Sequence, residues 1–161
     1  MTDPSLLWVF FPIAITLHNL EEALWLPQWS HQAKRFHKPV EPSEFFFAVI
    51  LVTLLSYLST FVAIAAPSIW LGRQVFFGFL GAMILNAFMP HLVATILLRR
   101  YAPGLLTGLA LLVPINSTIL VQAMAAGGLY WWELVLSTIA VAGLLLSLLP
   151  VFFRFGKLMI K

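Results

Sequence analysis

The sequence predicts an all-α, polytopic membrane protein: a bundle of about five transmembrane helices with a short interfacial segment after the first. Three observations carry this. Of the 161 residues, 61% are hydrophobic and only 9% are charged, whereas a water-soluble domain is roughly 45–50% apolar and about 25% charged. The mean hydropathy is +0.99, so the excess apolar surface calls for a bilayer as solvent. Along the chain, this material falls into stretches of the ~20 residues that a helix needs to cross a hydrocarbon core. The length fits one membrane domain over residues 1–161. With no cysteine, disulfides and thiolate metal sites are excluded.

The first helix is expected over residues 5–26. It has no Lys or Arg ahead of it, no small-residue cleavage pattern, and polar residues in its second half, so it reads as a retained helix and not as a signal peptide. Residues 27–44 form the one long polar connection, where Trp29, His31, Lys34, Arg35, His37 and Lys38 suit a segment lying on the headgroups. Helices follow at residues 45–66, 73–98, 103–126 and 132–153, separated by tight turns. Pro103-Gly104 makes the turn into the fourth, and Gly127-Gly128 with Tyr130, Trp131 and Trp132 makes a turn and an aromatic belt before the fifth.

The net charge of +3 is spread over these connections, which reads as a topology signal and not as a nucleic-acid face. Of the nine Lys and Arg residues, only Arg73 lies on the side of the second-to-third connection. Lys34, Arg35, Lys38, Arg99, Arg100, Arg154, Lys157 and Lys161 all lie on the other. The positive-inside rule then places the amino terminus outside and the carboxyl terminus in the cytoplasm, in the plasma (inner) membrane.

Ionisable groups inside a spanning helix are costly and mark function by default. The first helix carries His18, Glu21 and Glu22. At about 100° per residue the glutamates lie roughly 300° and 400° on from His18, so the three share a face and can converge on one point. Adjacent carboxylates at this depth repel unless one is protonated or a cation lies between them. The third helix adds Asn86 and His91. Five apart, they are about 140° from one another on an ideal helix. Pro90 offers no N–H to the Asn86 carbonyl, and the kink it causes is expected to turn both side chains inward.

Depth agrees with this. His18 precedes Leu26, and His91 precedes Arg99, by the same number of residues, which sets both imidazoles about 12 Å above one boundary on helices running the same way. Asn116 on the fourth helix comes out level with Asn86, at about 20 Å. Arg99, Arg100 and Tyr101 fall at headgroup level, suited to a lipid phosphate or an anionic substrate.

His18-x-x-Glu21-Glu22, the Asn86 and His91 pair, and Tyr101-x-Pro103-Gly104 together resemble the HXXEE family of small integral-membrane proteins. The resemblance runs from the first helix into the start of the fourth. It implies a membrane site without implying a reaction, since the family is functionally uncharacterised. The family pattern has Asn and His four apart, one fewer than here. The paired glutamates, histidine and asparagine are also similar in kind to those of CAAX-protease-like intramembrane glutamate proteases, although Leu26 stands where those enzymes place an arginine.

These residues lead to a membrane-embedded, metal-dependent enzyme, a hydrolase first of all, acting on a lipidic or hydrophobic substrate in the cytoplasmic half of the bilayer. A divalent metal is expected on His18, Glu21 and His91, with zinc ahead of iron because nothing in the sequence demands redox chemistry. Glu22 is the expected general base, in a role interchangeable with that of Glu21, and Asn86 an oxyanion donor. Tyr101, Arg100 and Asn116 are the expected substrate contacts. A metal-free variant, with a glutamate activating water, uses the same groups. Membrane lipids are the expected surroundings, with no nucleic-acid partner. Two other classes fit the same residues. One is a proton- or cation-coupled transporter or channel subunit, in which a homo-oligomer would make up for the absent inverted repeat. The other is a non-catalytic membrane scaffold or lipid-binding module.

Overall fold

The computed structural model describes residues 4–33 and 39–159, which form helices and no strand among the described residues. A 3₁₀ turn at Pro4–Val9 leads into α1, Phe10–Gln32. Then come α2 at Pro42–Ala65, α3 at Trp70–Leu98, α4 at Leu105–Ala125 and α5 at Trp131–Met159. α3 kinks within Ala87–Leu92, where Met89 leaves helical geometry ahead of Pro90, and α4 widens into a π turn at Gly108–Leu112.

The helices α2 to α5 are long and apolar enough to cross a membrane, and the chain is a multi-pass membrane protein. The remaining helix of the expected bundle, α1, is less apolar than the other four because its middle carries His18, Asn19, Glu21 and Glu22. Of these, His18, Asn19 and Glu21 are buried against protein, so neighbouring helices meet its polar face. α1 also runs past the expected end at Leu26, continuing through Pro27 to Gln32. Proline removes one backbone bond there, and the Ser30 hydroxyl donates to the Pro27 carbonyl at 2.7 Å. Trp29 and His31 therefore ride on the last turns of a helix. Lys34, Arg35, His37 and Lys38 of the expected interfacial segment lie outside the described residues, as does Lys161.

Polar contacts tie the helix ends together. Arg100 Nη1 donates to Gln32 Oε1 at 3.0 Å, and Lys157 Nζ lies 4.0 Å from Glu44 Oε1. At one end of the bundle the end of α1 thus meets the residues that follow α3, and the last turns of α5 meet the first turn of α2. At the other end Arg73 donates to the Gly128 carbonyl and Trp70 Nε1 to Glu133 Oε1 at 3.3 Å. Arg99, Arg100, Arg154 and Lys157 consequently gather at the end opposite Arg73.

The core forms around α3. Its Phe76, Phe77, Phe79 and Leu80 are buried with Phe11 and Ile15 of α1, Leu112 and Ile119 of α4, and Val141 of α5. Phe11 meets Phe76 and Phe79 edge-on, at centroid distances of 5.9 and 5.5 Å, the arrangement that the ring quadrupole favours. Lipid tails are as apolar as these side chains, so close van der Waals fit has to hold such helices together, and small residues allow it. At Gly78 the backbone of α5 is so near that a Cβ would meet the Ser137 carbonyl, with the carbonyl carbon at 2.7 Å. Gly143 on α5 faces no atom within 4 Å.

Gly78→Ala is expected to destabilise the detergent-solubilised protein by about 1–3 kcal/mol, the range for overpacking against a surface that cannot yield. Gly143→Ala is expected to be neutral or to stabilise by up to ~1 kcal/mol, because alanine is the better helix former. Thermal unfolding of the two variants in one detergent separates them, and equal losses would contradict the close α3–α5 fit.

Candidate functional site

The site starts from the turn between α3 and α4. α3 ends with Arg99 in the left-handed region at φ 50°, and Gly104 enters α4 at φ +92°, a conformation in which glycine carries no Cβ penalty. The first turn of any helix leaves backbone N–H groups without helical partners. Here each finds an acceptor. Gly104 N–H donates to Glu21 Oε1 at 2.8 Å and Thr107 N–H to Glu21 Oε2 at 3.0 Å. Leu106 N–H donates to the Tyr101 hydroxyl at 3.0 Å, and Leu105 N–H to the Ala102 carbonyl at 3.2 Å. Glu21 of α1 thus caps α4, where the helix dipole also favours negative charge. Two hydroxyls complete its shell: Thr107 Oγ1 donates to Oε2 at 2.6 Å, and Tyr101 donates to Oε1. Burial and the Glu21 carboxylate push the Tyr101 phenol up to about 12, so it keeps its proton at neutral pH.

Glu22, one residue on, points elsewhere. Its Oε1 lies 2.8 Å from His91 Nε2 and 3.7 Å from His18 Nε2. The histidines are 0% and 3% exposed, and their rings meet edge to face at a centroid distance of 5.4 Å. Ligand atoms of His18, Glu22 and His91 all lie within 4.8 Å of one another. Asn86 joins them, its Nδ2 3.3 Å from His18 Nε2 and 3.1 Å from His91 Nε2. The kink expected at Pro90 makes this possible: Met89, the residue before it, leaves helical geometry at φ −125°, ψ 106°, and this break between Asn86 and His91 lets the two side chains turn to one side.

The structure therefore brings together His18, His91, Glu22 and Asn86, and parts the two glutamates. Glu21, expected among the metal ligands, has its oxygens committed to the α4 cap. Glu22, expected as the base, stands with the imidazoles. Tyr101 serves the cap and Arg100 pairs with Gln32. Asn116 is fully buried and donates to the Leu80 carbonyl at 3.1 Å, one turn and more from Asn86, so the two amides do not pair. Two further contacts emerge only in three dimensions. Thr107 touches both Glu21 and His18, lying 3.1 Å from His18 Nδ1. Gly104 closes the floor: a Cβ there would stand 2.8 Å from His91 Cε1 and 3.0 Å from both His18 Cε1 and Glu22 Cγ.

A cavity of about 360 Å³ opens onto this cluster between α1, α2, α3 and α5. Glu22, Asn86 and His91 form its polar wall, with Asn19, which donates to Thr53 Oγ1 at 2.7 Å; Val49, Met83 and Leu145 are among the apolar residues opposite. A second cavity of about 520 Å³ shares Leu26, Met89, Pro90, His91 and Leu146 with the first and reaches Trp29 and Leu97. Asn116 lies in neither wall.

Removing a partner from a fully bonded buried carboxylate leaves other groups unpaired. Tyr101→Phe is expected to destabilise by about 1–3 kcal/mol, since it takes the acceptor from the Leu106 N–H and leaves Glu21 Oε1 with the Gly104 N–H alone. Glu21→Gln is expected to cost more, because its amide sets a donor against donors. Unfolding of the two variants in detergent gives the order, and a Glu21→Gln protein as stable as wild type would contradict the cap.

The profile of a family described as "Protein of unknown function with HXXEE motif" matches residues 9–119. A protein of Bacillus subtilis (strain 168) described as "Uncharacterized protein YrkK" is 50% identical over 147 residues, which is 91% of this chain and 93% of that one. No solved structure matches the chain.

Proposed function

This chain belongs to the HXXEE family, and we propose that it is a membrane-embedded, metal-dependent hydrolase whose ion is held by His18, His91 and Glu22. The observation that carries the reading is the convergence of two imidazoles and a carboxylate within 4.8 Å, on the wall of an apolar cavity. Ligands about 2.0–2.1 Å from a tetrahedral zinc stand roughly 3.3 Å from one another. The spacings of 2.8 and 3.7 Å from Glu22 to the two histidines bracket that value. Zinc stands ahead of iron for this donor set because no redox partner is called for.

A divalent ion bound here supplies Lewis acidity and activates water. The protein's own groups do the rest. Glu22 offers a second oxygen to take a proton from the attacking water. The Asn86 amide, already directed at the cluster, donates to the oxygen on which charge develops. In balance, the water oxygen bonds to the carbonyl carbon, the bond to the departing oxygen or nitrogen breaks, and the proton taken by Glu22 passes to that atom. The two neighbouring, mostly apolar cavities suit a lipidic or hydrophobic substrate arriving sideways between helices. The gathering of Arg99, Arg100, Arg154 and Lys157 at one end supports a placement with that end in the cytoplasm and the amino terminus outside, in the plasma membrane.

Metal content and turnover test the two parts of the reading separately. Protein purified in detergent and washed briefly with chelator is expected to keep about one zinc per chain, and His18→Ala and His91→Ala to lose at least tenfold in affinity. Hydrolysis of a fluorogenic long-chain acyl ester is expected to vanish on metal removal and in Glu22→Gln. Zinc bound equally by wild type and both histidine variants would sink the metal site. Metal without turnover would sink the hydrolase, and charge movement in proteoliposomes lost with Glu22→Gln would put cation transport in its place.

A further inference from the structure

Which nitrogen of His18 carries the hydrogen is decided by where the Thr107 hydroxyl proton goes. An ionised carboxylate only accepts, and Glu21 receives two backbone N–H groups that can only donate, from Gly104 and Thr107. Tyr101 accepts from Leu106 N–H, so its own proton goes to Glu21. The remaining contact, Thr107 Oγ1 to Glu21 Oε2 at 2.6 Å, follows the same pattern, and the single hydroxyl proton of Thr107 is spent on it. Thr107 Oγ1 then has only lone pairs to offer His18 Nδ1, 3.1 Å away. That nitrogen must carry the hydrogen. His18 Nε2 is left with a lone pair facing Glu22 and the Asn86 amide, and Asn86 Nδ2 can donate to it.

We infer that Thr107 is a positioning residue: linked to Glu21, it locks His18 in the Nδ1–H tautomer and so presents Nε2 to the pocket as a ready ligand. Metal-binding imidazoles generally depend on such a partner at the other nitrogen, and its loss lowers affinity about 10–100-fold. What is unusual here is that the carboxylate acts through a hydroxyl and is itself held by a helix terminus. One charge thereby fixes both the entry of α4 and the orientation of His18. The inference deepens the metal reading and rests on it for the affinity alone; the tautomer stands independently.

The test uses the full chain, labelled with ¹⁵N-histidine, in detergent micelles without metal. Long-range ¹H–¹⁵N spectra, with the His18 signal assigned by its loss in His18→Ala, are expected to give a protonated Nδ1 and a bare Nε2. Thr107→Val is expected to mix or reverse the tautomers, and Thr107→Ser to restore them. With zinc added, affinity is expected to fall about 10–100-fold in Thr107→Val and to return in Thr107→Ser. A wild-type His18 protonated at Nε2 overturns the inference with no variant needed, as does a Thr107→Val protein with the tautomer unchanged. A locked tautomer in a protein that binds no zinc would support the positioning role while the metal reading failed.

Discussion

A carboxylate deep in an apolar bundle has to be met by donors, and the donors that meet Glu21 are the unpaired amides of a neighbouring helix. Neither partner is stable alone in that setting. A charge without hydrogen bonds is strongly penalised, and so is a helix terminus whose N–H groups are withdrawn from water. Brought together, each removes the other's deficit. The contact spans α1 and α4 and draws in Tyr101, Gly104 and Thr107. Every other feature of the site is registered against it, because it sets the height and rotation at which the first turn of α4 meets the middle of α1.

That register explains why consecutive glutamates do different work. Neighbours in a helix are turned by about 100°, so once Glu21 faces the α4 terminus, Glu22 is carried round toward α3. There the kink at Met89 and Pro90 has already brought Asn86 and His91 to one side. On an unbroken helix side chains five positions apart would diverge, and the break lets an amide and an imidazole serve one pocket. Gly104 completes the fit, since anything larger than hydrogen at its Cα would intrude on both histidines.

Much of this was legible in the sequence. Apolar stretches of bilayer length give the helices, because in lipid the backbone has no other way to satisfy itself, although α1 and α5 run on past their expected ends to Gln32 and Met159. The level of His18 with His91 follows from helical rise alone, and the two rings do meet. Less legible was the separation of Glu21 from Glu22. Angular counting puts both on a broad face with His18, and the choice between them is made by α4, a partner distant in sequence. Thr107 was invisible for the same reason: a threonine in the first turn of a helix is ordinary, and only the arrival of α1 gives it two partners. The extension of α1 past Pro27 escaped because polar residues suit a helix leaving the membrane as well as they suit a loop.

The cavity beside the cluster is walled by two parts of the chain. His18, Glu22, Asn86 and His91 stand on α1 and α3, inside the span shared with the family, residues 9–119. Leu145, Leu146 and Leu149, which bound the same space, stand on α5, a helix that contributes no polar group to the cluster. Substitutions along α5 can therefore change the shape of that space while the four polar groups, carried on other helices, stay in place.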